Sequence, residues 1–183
     1  AGYDGAVTLD GKTIDVEGWA GSQNHTWGRQ HTDYYAFGQV AGFDNAPDSF
    51  LEIVSAQLKV GPVWTPTLTP LVLRFHGEDH SFVTLPQAAG AKAQFRCFDW
   101  TFAAENDRVK LAGRIAAPKE AFVGLTYYNP PGGTKHCLNS KLASCELTVT
   151  DKSSGKQSVL VARHRAAFEI LTDDRTHGVA IQV

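Results

Sequence analysis

The residues best suited to chemistry lie within positions 18–43. Imidazole, guanidinium, carboxyl, phenol and indole groups crowd into positions 25–35: His25, Trp27, Arg29, His31, Asp33, Tyr34 and Tyr35. Such groups can transfer protons, and aromatic rings can line an apolar pocket. If the segment is an extended strand without a bulge at Gly28, alternation places all of them except Tyr34 on one face. We therefore expect a mixed polar and aromatic surface here, continued by Phe37.

Two interpretations of this segment remain open. In the first, His25, His31 and Asp33 donate or accept protons. In the second, a Trp-Gly pair closes the base of a barrel, with Arg29 packed over the Trp27 indole by a cation–π contact. The architectural interpretation is favoured for Trp27 and Arg29, and the two are balanced for His25 and Asp33.

A second candidate acid is Asp99, which lies among aromatic residues in the run FRCFDWTF. Burial there would keep the carboxyl group protonated near neutral pH, and a neutral acid is the species that can protonate an alkene. Trp100 would then line the pocket. The alternative, which the number of nearby cations favours, is an ion pair with Arg96, Arg108 or Arg114.

Metal binding and disulfide formation have weaker support. His76 and His80 could meet across a turn and join His25 and His31, but no tight ligand spacing is present, so we predict no metal. Cys137 and Cys145 could close a small hairpin by a disulfide, although free thiols are slightly favoured. The odd cysteine, Cys97, is expected to be a buried thiol.

The sequence pattern predicts that short strands, separated by Gly, Pro, Asn and Asp, position these residues. Hairpins are predicted at Asp10-Gly11, at residues 77–79, at residues 105–107 and at residues 152–156. The predicted strands span residues 6–9, 12–17, 34–41, 50–60, 71–76, 81–85, 95–104, 108–116, 122–128, 141–151, 157–169 and 176–183. Sequential hairpins favour one all-β domain, an antiparallel up-and-down barrel of roughly ten strands with little helix.

Composition excludes several classes of partner. The 183 residues include 17 Lys and Arg against 19 Asp and Glu, which gives a net charge of -2. This charge gives no electrostatic reason to expect nucleic acid as a binding partner. No apolar run approaches the roughly 20 residues that a membrane-spanning helix needs. The hydrophobic fraction of 43% predicts an ordinary globular domain.

The order of motifs resembles a known family. The run Asn24, His25, Thr26, Trp27, Gly28 before an aromatic strand (Tyr34, Tyr35, Phe37) is similar to a segment of tocopherol cyclases. Carotenoid 1,2-hydratases and fungal Diels–Alderase-type cyclases belong to the same lipocalin-like group. Residues 95–105 followed by 108–113 also resemble that family, as does a closing segment with Asn139, Ser140, Lys141, Leu142, Ala143 and Glu146.

The resemblance implies a lipocalin-like barrel that matches the second barrel of a tandem pair, so the chain is expected to be a fragment, a processed piece or a single-barrel relative. It implies cofactor-independent cyclisation, isomerisation or hydration of an isoprenoid or polyketide-like molecule. The expected catalytic residues are His25, His31, Asp33 and Asp99, and the expected ligand-binding residues are Trp27, Arg29, Tyr35, Phe37 and Trp100.

Two other functions remain open, a non-catalytic module that binds an apolar molecule and a structural half-domain. The expected partners are an apolar small molecule and either a preceding barrel domain or a second copy of the chain.

Overall fold

The computed structural model describes residues 1–24, 32–128 and 132–182. One short helix, α1 (Leu85–Gly90), and a 3-10 turn (Lys119–Ala121) accompany fourteen strands. The strands are β1 (Gly2–Leu9), β2 (Lys12–Ala20), β3 (Tyr34–Phe43), β4 (Ala46–Gln57), β5 (Lys59–Val60), β6 (Val63–Trp64), β7 (Leu71–Phe75), β8 (Glu78–Phe82), β9 (Lys92–Arg96), β10 (Asp99–Glu105), β11 (Val109–Ala116), β12 (Val123–Tyr128), β13 (Thr134–Asp151) and β14 (Gln157–Thr172).

Ten strands form one antiparallel sheet in the order β8-β7-β4-β3-β14-β13-β11-β10-β9, with β12 paired to β13 beside β11. This order follows the chain as an up-and-down meander whose last strand, β14, returns to pair with β3. Among the described residues, chain neighbours β8 and β9 do not pair, and α1 connects them across that break. Two further hairpins, β1–β2 and β5–β6, stand outside the sheet.

The sheet curls so that distant strands share one core. A methyl group added at Gly38 on β3 would lie 2.5 Å from the Ile115 side chain on β11 and 2.9 Å from the Trp100 indole on β10. Trp100 is fully buried and stacks on Phe168 with ring centroids 6.0 Å apart. Because β3 and β10 are separated by three strands in the sheet, these contacts require the curvature of a half-barrel.

The all-β, barrel-like, roughly ten-stranded prediction is confirmed. The Asp10-Gly11 hairpin forms with both residues at positive φ, 49° and 75°, as a two-residue hairpin turn of this composition favours. The alternation on β4 is also as predicted, since Leu51, Ile53 and Ser55 are buried together.

Several predicted boundaries are wrong. The run 50–60 is not one strand, because β4 ends at Gln57 and Lys59–Val60 forms β5, which pairs with β6 outside the main sheet. The run 95–104 is two strands, because the chain turns between Arg96 and Asp99 with Phe98 at a φ of 77°. β13 begins at Thr134 rather than at 141, since its first half pairs with β12 and β14. The run 81–85 ends as a strand at Phe82, and α1 follows it. The stretch 176–182 is irregular apart from a bridge of Ile181 to Gly124.

Candidate functional site

Four of the predicted site residues, His25, Trp27, Arg29 and His31, lie outside the described residues, and the predictions that concern them stay predictions. Asp33 lies just before β3. Its carboxylate accepts a hydrogen bond from the backbone N–H of Lys59 (2.8 Å) and lies 3.8 Å from the Lys135 ammonium. Lys135, whose side chain is 10% exposed, also donates to the Asp33 carbonyl oxygen. These contacts anchor the chain at the start of β3.

Asp99 lies at the outer surface and pairs with Arg114, with 40% and 61% of the two side chains exposed. This arrangement matches the ion-pair interpretation. Asp99 does not have the apolar surroundings that the alkene-protonating interpretation requires.

The predicted pocket walls are on opposite faces of the sheet. Trp100 lies in the core, and its ring is next to that of Phe95. Phe95 in turn contacts Tyr34, with the two ring centroids 4.6 Å apart, so Tyr34 faces the same core layer. Tyr35 and Phe37 alternate with the buried residues of β3 and therefore face outward. Tyr35, Phe37 and Trp100 consequently do not line one common cavity.

On the outer face, Tyr35 belongs to a network that includes a carboxylate the sequence analysis missed. The Tyr35 hydroxyl donates to Glu169 on β14, and the Asn139 side-chain amide on β13 donates to the other carboxylate oxygen over 2.6 Å. In the described part of the chain, Glu169 takes part in no ion pair. We call Tyr35, Tyr127, Cys137, Asn139 and Glu169 the outer-face network.

Burial and the negative charge of Glu169 shape the acidity of this network. Burial raises the pKa of Tyr35 far above its ordinary value, and the neighbouring Glu169 charge adds to the shift. The same two causes raise the pKa of Tyr127 and bring the pKa of the Cys137 thiol to about 12. The phenols and the thiol therefore stay protonated near neutral pH.

A second candidate site opens at one end of the half-barrel. A pocket of about 200 Å³ lies where β7, β11 and β13 meet the turns β7–β8 and β13–β14. Its buried floor is formed by Phe75, His80, Val109 and Val149, and its more exposed rim by His76, Glu78, Asp151, Ser154, Lys156 and Ser158. We call it the mouth pocket. The mouths of barrels are common positions for small-molecule sites.

His80, one of the residues that form the floor of the mouth pocket, has an unpaired polar atom. His80 is 6% exposed, and its Nδ1 atom is buried without a hydrogen-bond partner. Burial, followed by the nearby Arg108 guanidinium, lowers the pKa of His80, so the ring is neutral at pH 7. An unsatisfied buried polar group costs about 1–3 kcal/mol, and a ligand that bonds to it recovers part of that cost.

The rim carries fixed charge. Ser153 and Ser154 donate hydrogen bonds to Asp151 and lower its pKa to about 2, so Asp151 remains a carboxylate over the whole physiological range. Glu78 pairs with Arg108 at 2.5 Å. The pocket thus combines an apolar floor, one neutral imidazole and a polar entrance.

A larger groove of about 650 Å³ crosses the outer face of β11, β13 and β14, and is less suited to a ligand. Two of its cations already have partners, since Arg114 pairs with Asp99 and Arg163 with Asp44. Among the described residues, the unpartnered buried polar side-chain atoms are His80 Nδ1 and Trp100 Nε1, and neither residue lines this groove.

His76 and His80 both line the mouth pocket. Among residues 1–24, 32–128 and 132–182, however, no three His, Cys, Asp or Glu side chains form a group that could hold a metal ion. All three cysteines are free thiols, and Cys137 and Cys145 lie on the same strand, β13.

Sequence reasoning singled out His80 only as a candidate metal ligand and missed Glu169 and Asn139. Alternation along β13 and β14 could have placed the last two on the outer face, but the register that joins them to Tyr35 has no signal in the sequence.

Comparison with known proteins adds no relative. No protein-family model matches the chain, and neither a curated protein nor a solved structure matches it. Within the described residues, no helix has the length and apolar character needed to cross a membrane. The resemblance to tocopherol cyclases therefore stays a hypothesis, and the function has to be argued from the two sites.

Proposed function

We propose that the protein binds a small, largely apolar molecule in the mouth pocket and that His80 recognises a hydroxyl group on it. The observation that carries this proposal is the buried Nδ1 atom of His80, which has no partner and belongs to a residue beside the apolar part of the pocket floor. A hydroxyl group fits because it can donate or accept, and so satisfies either tautomer of a neutral imidazole.

The volume limits the size of the ligand. A protein cavity of about 150 Å³ holds a benzene molecule, so a pocket of this size suits a substituted six-membered ring. A long isoprenoid or polyketide-like molecule would place one ring or chain end on Phe75, Val109 and Val149 and extend past the rim. This proposal corresponds to the non-catalytic binding module considered above, with its ligand placed at one end of the half-barrel.

Phenol and toluene provide a matched pair of probes, because they have the same size but only phenol can bond to His80. We expect a titration followed by two-dimensional ¹H–¹⁵N NMR to shift amide signals of β7, β8, β11 and β13 around the pocket. Since a net hydrogen bond contributes about 0.5–1.5 kcal/mol, phenol should bind about 2–12 times more tightly than toluene.

The variant His80→Phe keeps an aromatic ring at the floor and should remove the preference for phenol. His164→Phe, at an exposed position on β14, is the control and should leave that preference intact. The proposal is wrong if neither probe shifts the pocket amides, or if His80→Phe retains the full preference.

A second candidate function is proton transfer at the outer-face network, which would make the protein an enzyme. The observation that favours it is the half-buried Glu169 carboxylate, held by the donors Tyr35 and Asn139 and in no ion pair among the described residues. A carboxylate held in this way can take the proton that a bound hydroxyl group releases, while the alkene carbon takes one proton that comes from solvent, so the step consumes one proton and releases one.

The test uses a short prenylated hydroquinone in deuterated water. Cyclisation transfers one solvent deuteron to carbon and releases the phenolic proton, so the product retains one carbon-bound deuterium that mass spectrometry detects after back-exchange. We expect Glu169→Gln to abolish this product and Asp99→Asn, on the outer surface, to leave it unchanged. Absence of product with the unmodified protein would reject this substrate class, and equal turnover by Glu169→Gln would reject the role of Glu169.

A further inference from the structure

The β1–β2 hairpin is a separate two-stranded sheet, and every residue of its strands except Val16 is exposed. A two-stranded hairpin is at best marginally stable in water and normally needs a third strand or a packing partner. Something other than its own turn must therefore cover it for the hairpin to be well ordered.

The two faces of the hairpin differ sharply. One face carries the cross-strand pairs Tyr3 with Trp19 and Val7 with Ile14, together with Leu9 and Val16, and Lys12 lies opposite Leu9 at the turn end of this face. Thr8, Thr13 and Asp15 lie on the opposite face. The hairpin therefore has one apolar and one polar face, and the apolar face is open to solvent.

A bulge places Trp19 on the apolar face. Between the pairs Tyr3–Trp19 and Gly5–Val16, the two residues Glu17 and Gly18 oppose the single residue Asp4. Gly18 has a φ of 61°, and its N–H donates to the Asp4 carboxylate over 2.7 Å. Without the extra residue, regular alternation would turn Trp19 to the opposite face from Val16.

The size of the apolar face suits a second copy of the same chain. Tyr3, Val7, Leu9, Ile14 and Trp19 are 41–63% exposed. They present roughly 500 Å² of surface, so two such faces would bury about 1,000 Å², the lower limit for a specific interface. An isologous contact brings the same patch together from both copies, as in most homodimers.

The charge of the hairpin argues against one class of partner. The hairpin carries four acids (Asp4, Asp10, Asp15 and Glu17) against Lys12 alone, which disfavours an anionic surface or nucleic acid as partner. Asp15 lies on the face opposite the apolar one, so it stays outside a contact made by the apolar face. We propose that the apolar face of the β1–β2 hairpin packs against the same face of a second copy, forming a two-fold homodimer.

Sedimentation equilibrium of the full chain tests the assembly, and the sequence offers a matched pair of tryptophans. Trp19 is 52% exposed on the β1–β2 hairpin, and Trp64 is 42% exposed on the β5–β6 hairpin. The unmodified protein should show a monomer–dimer equilibrium in the micromolar range. Because a tryptophan that becomes buried in an interface often contributes 2 kcal/mol or more, Trp19→Ser should raise the dissociation constant at least about tenfold. Trp64→Ser should leave it unchanged.

Hydrogen exchange locates the contact and separates it from a folding defect. Amides of β1 and β2 should become more protected as protein concentration rises, and Trp19→Ser should remove that dependence without altering exchange in β10 or β14. A protein that stays monomeric throughout, or protection of the hairpin that does not change with concentration, overturns the proposal. Equal weakening of the dimer by Trp64→Ser would also overturn it.

Discussion

The Nδ1 atom of His136 lies 2.7 Å from the Nε2 atom of His177, joining β13 to the irregular segment that follows β14. The Val179 backbone N–H donates to Nδ1 of His177 over 3.0 Å, so the ring proton of neutral His177 sits on Nε2 and points at His136. His136 must then accept at Nδ1. Its protonation would place two N–H donors face to face and break the bond.

This geometry predicts a loss of stability on mild acidification. Burial, together with the Arg175 guanidinium and His177, lowers the pKa of His136 in the folded protein. The unfolded chain therefore binds the proton more readily, and the stabilising contribution is present above the unfolded pKa of about 6.5 and is lost as the pH falls. Urea unfolding at pH 7.5 and 5.0 should show a lower free energy of unfolding at pH 5.0.

The protection factors of amides in residues 173–182, which are corrected for the pH dependence of intrinsic exchange, should fall between pH 7.5 and 5.0. His136→Asn should reduce both effects, and the exposed His164→Asn should change neither. His80 contributes a dependence of the same sign, because its pKa is lowered as well. Stability that is constant or increases between pH 7.5 and 5.0 would contradict the assignment.

The hydrogen bond from Tyr35 to Glu169 should stabilise the pairing of β3 with β14. Because its acceptor is charged and half-buried, Tyr35→Phe should lower the free energy of unfolding by about 1.5–3 kcal/mol. Tyr128→Phe, at a tyrosine that is 78% exposed, should have almost no effect. A double-mutant cycle with Glu169→Gln, measured by urea unfolding, should show coupling, and additive effects would mean that the two side chains act independently.

Local signals in the sequence predicted much of the fold. The turn at residues 105–107 forms because the Asn106 side chain accepts hydrogen bonds from the backbone N–H groups of Arg108 and Val109, both over 2.9 Å. The signals for α1 were also present, namely Thr84 before the helix, Pro86 in its first turn and Gln87 bonded back to Thr84. Six residues are too few to show helical periodicity, so the sequence pattern predicts only the strand 81–85 where α1 begins.

The sites were less predictable, since they depend on contacts between distant parts of the chain. Tyr35 and Glu169 are 134 positions apart, and their contact follows from the closing pair β3–β14. The mouth pocket likewise joins His80 on β8 to Asp151 on β13. Residue type identified Tyr35 and the His76–His80 pair as candidates, but their neighbours are set by sheet order and curvature.

Close packing beneath β3 predicts that Gly38 does not tolerate a side chain. A methyl group there would lie 2.5 Å from Cδ1 of Ile115 and 2.9 Å from Trp100. Overpacking of this kind should make Gly38→Ala less stable by about 1–3 kcal/mol in thermal or urea unfolding. Gly132→Ala, where a methyl group meets no atom within 4 Å, is the control and should stay within about 0.5 kcal/mol of the unmodified protein.

The clash at Gly38 can be partly relieved at one atom. Ile115→Val removes Cδ1. The loss in free energy of unfolding of the double variant Gly38→Ala/Ile115→Val should therefore be smaller than the sum of the losses of the two single variants. Strict additivity would mean that the core adjusts elsewhere, and an unchanged stability of Gly38→Ala would show that the interior has room for a larger group at this point.

The ion pair between Asp99 and Arg114 predicts a small, salt-sensitive effect of Asp99→Asn. Because both side chains are substantially exposed, the loss in free energy of unfolding should be about 1 kcal/mol or less. It should decrease further at high salt, where surface charges are screened. Arg114→Gln should behave in the same way and make the second substitution nearly neutral. A loss of more than about 2 kcal/mol that persists at high salt would instead indicate a desolvated carboxyl group, and would return Asp99 to the list of candidate acids.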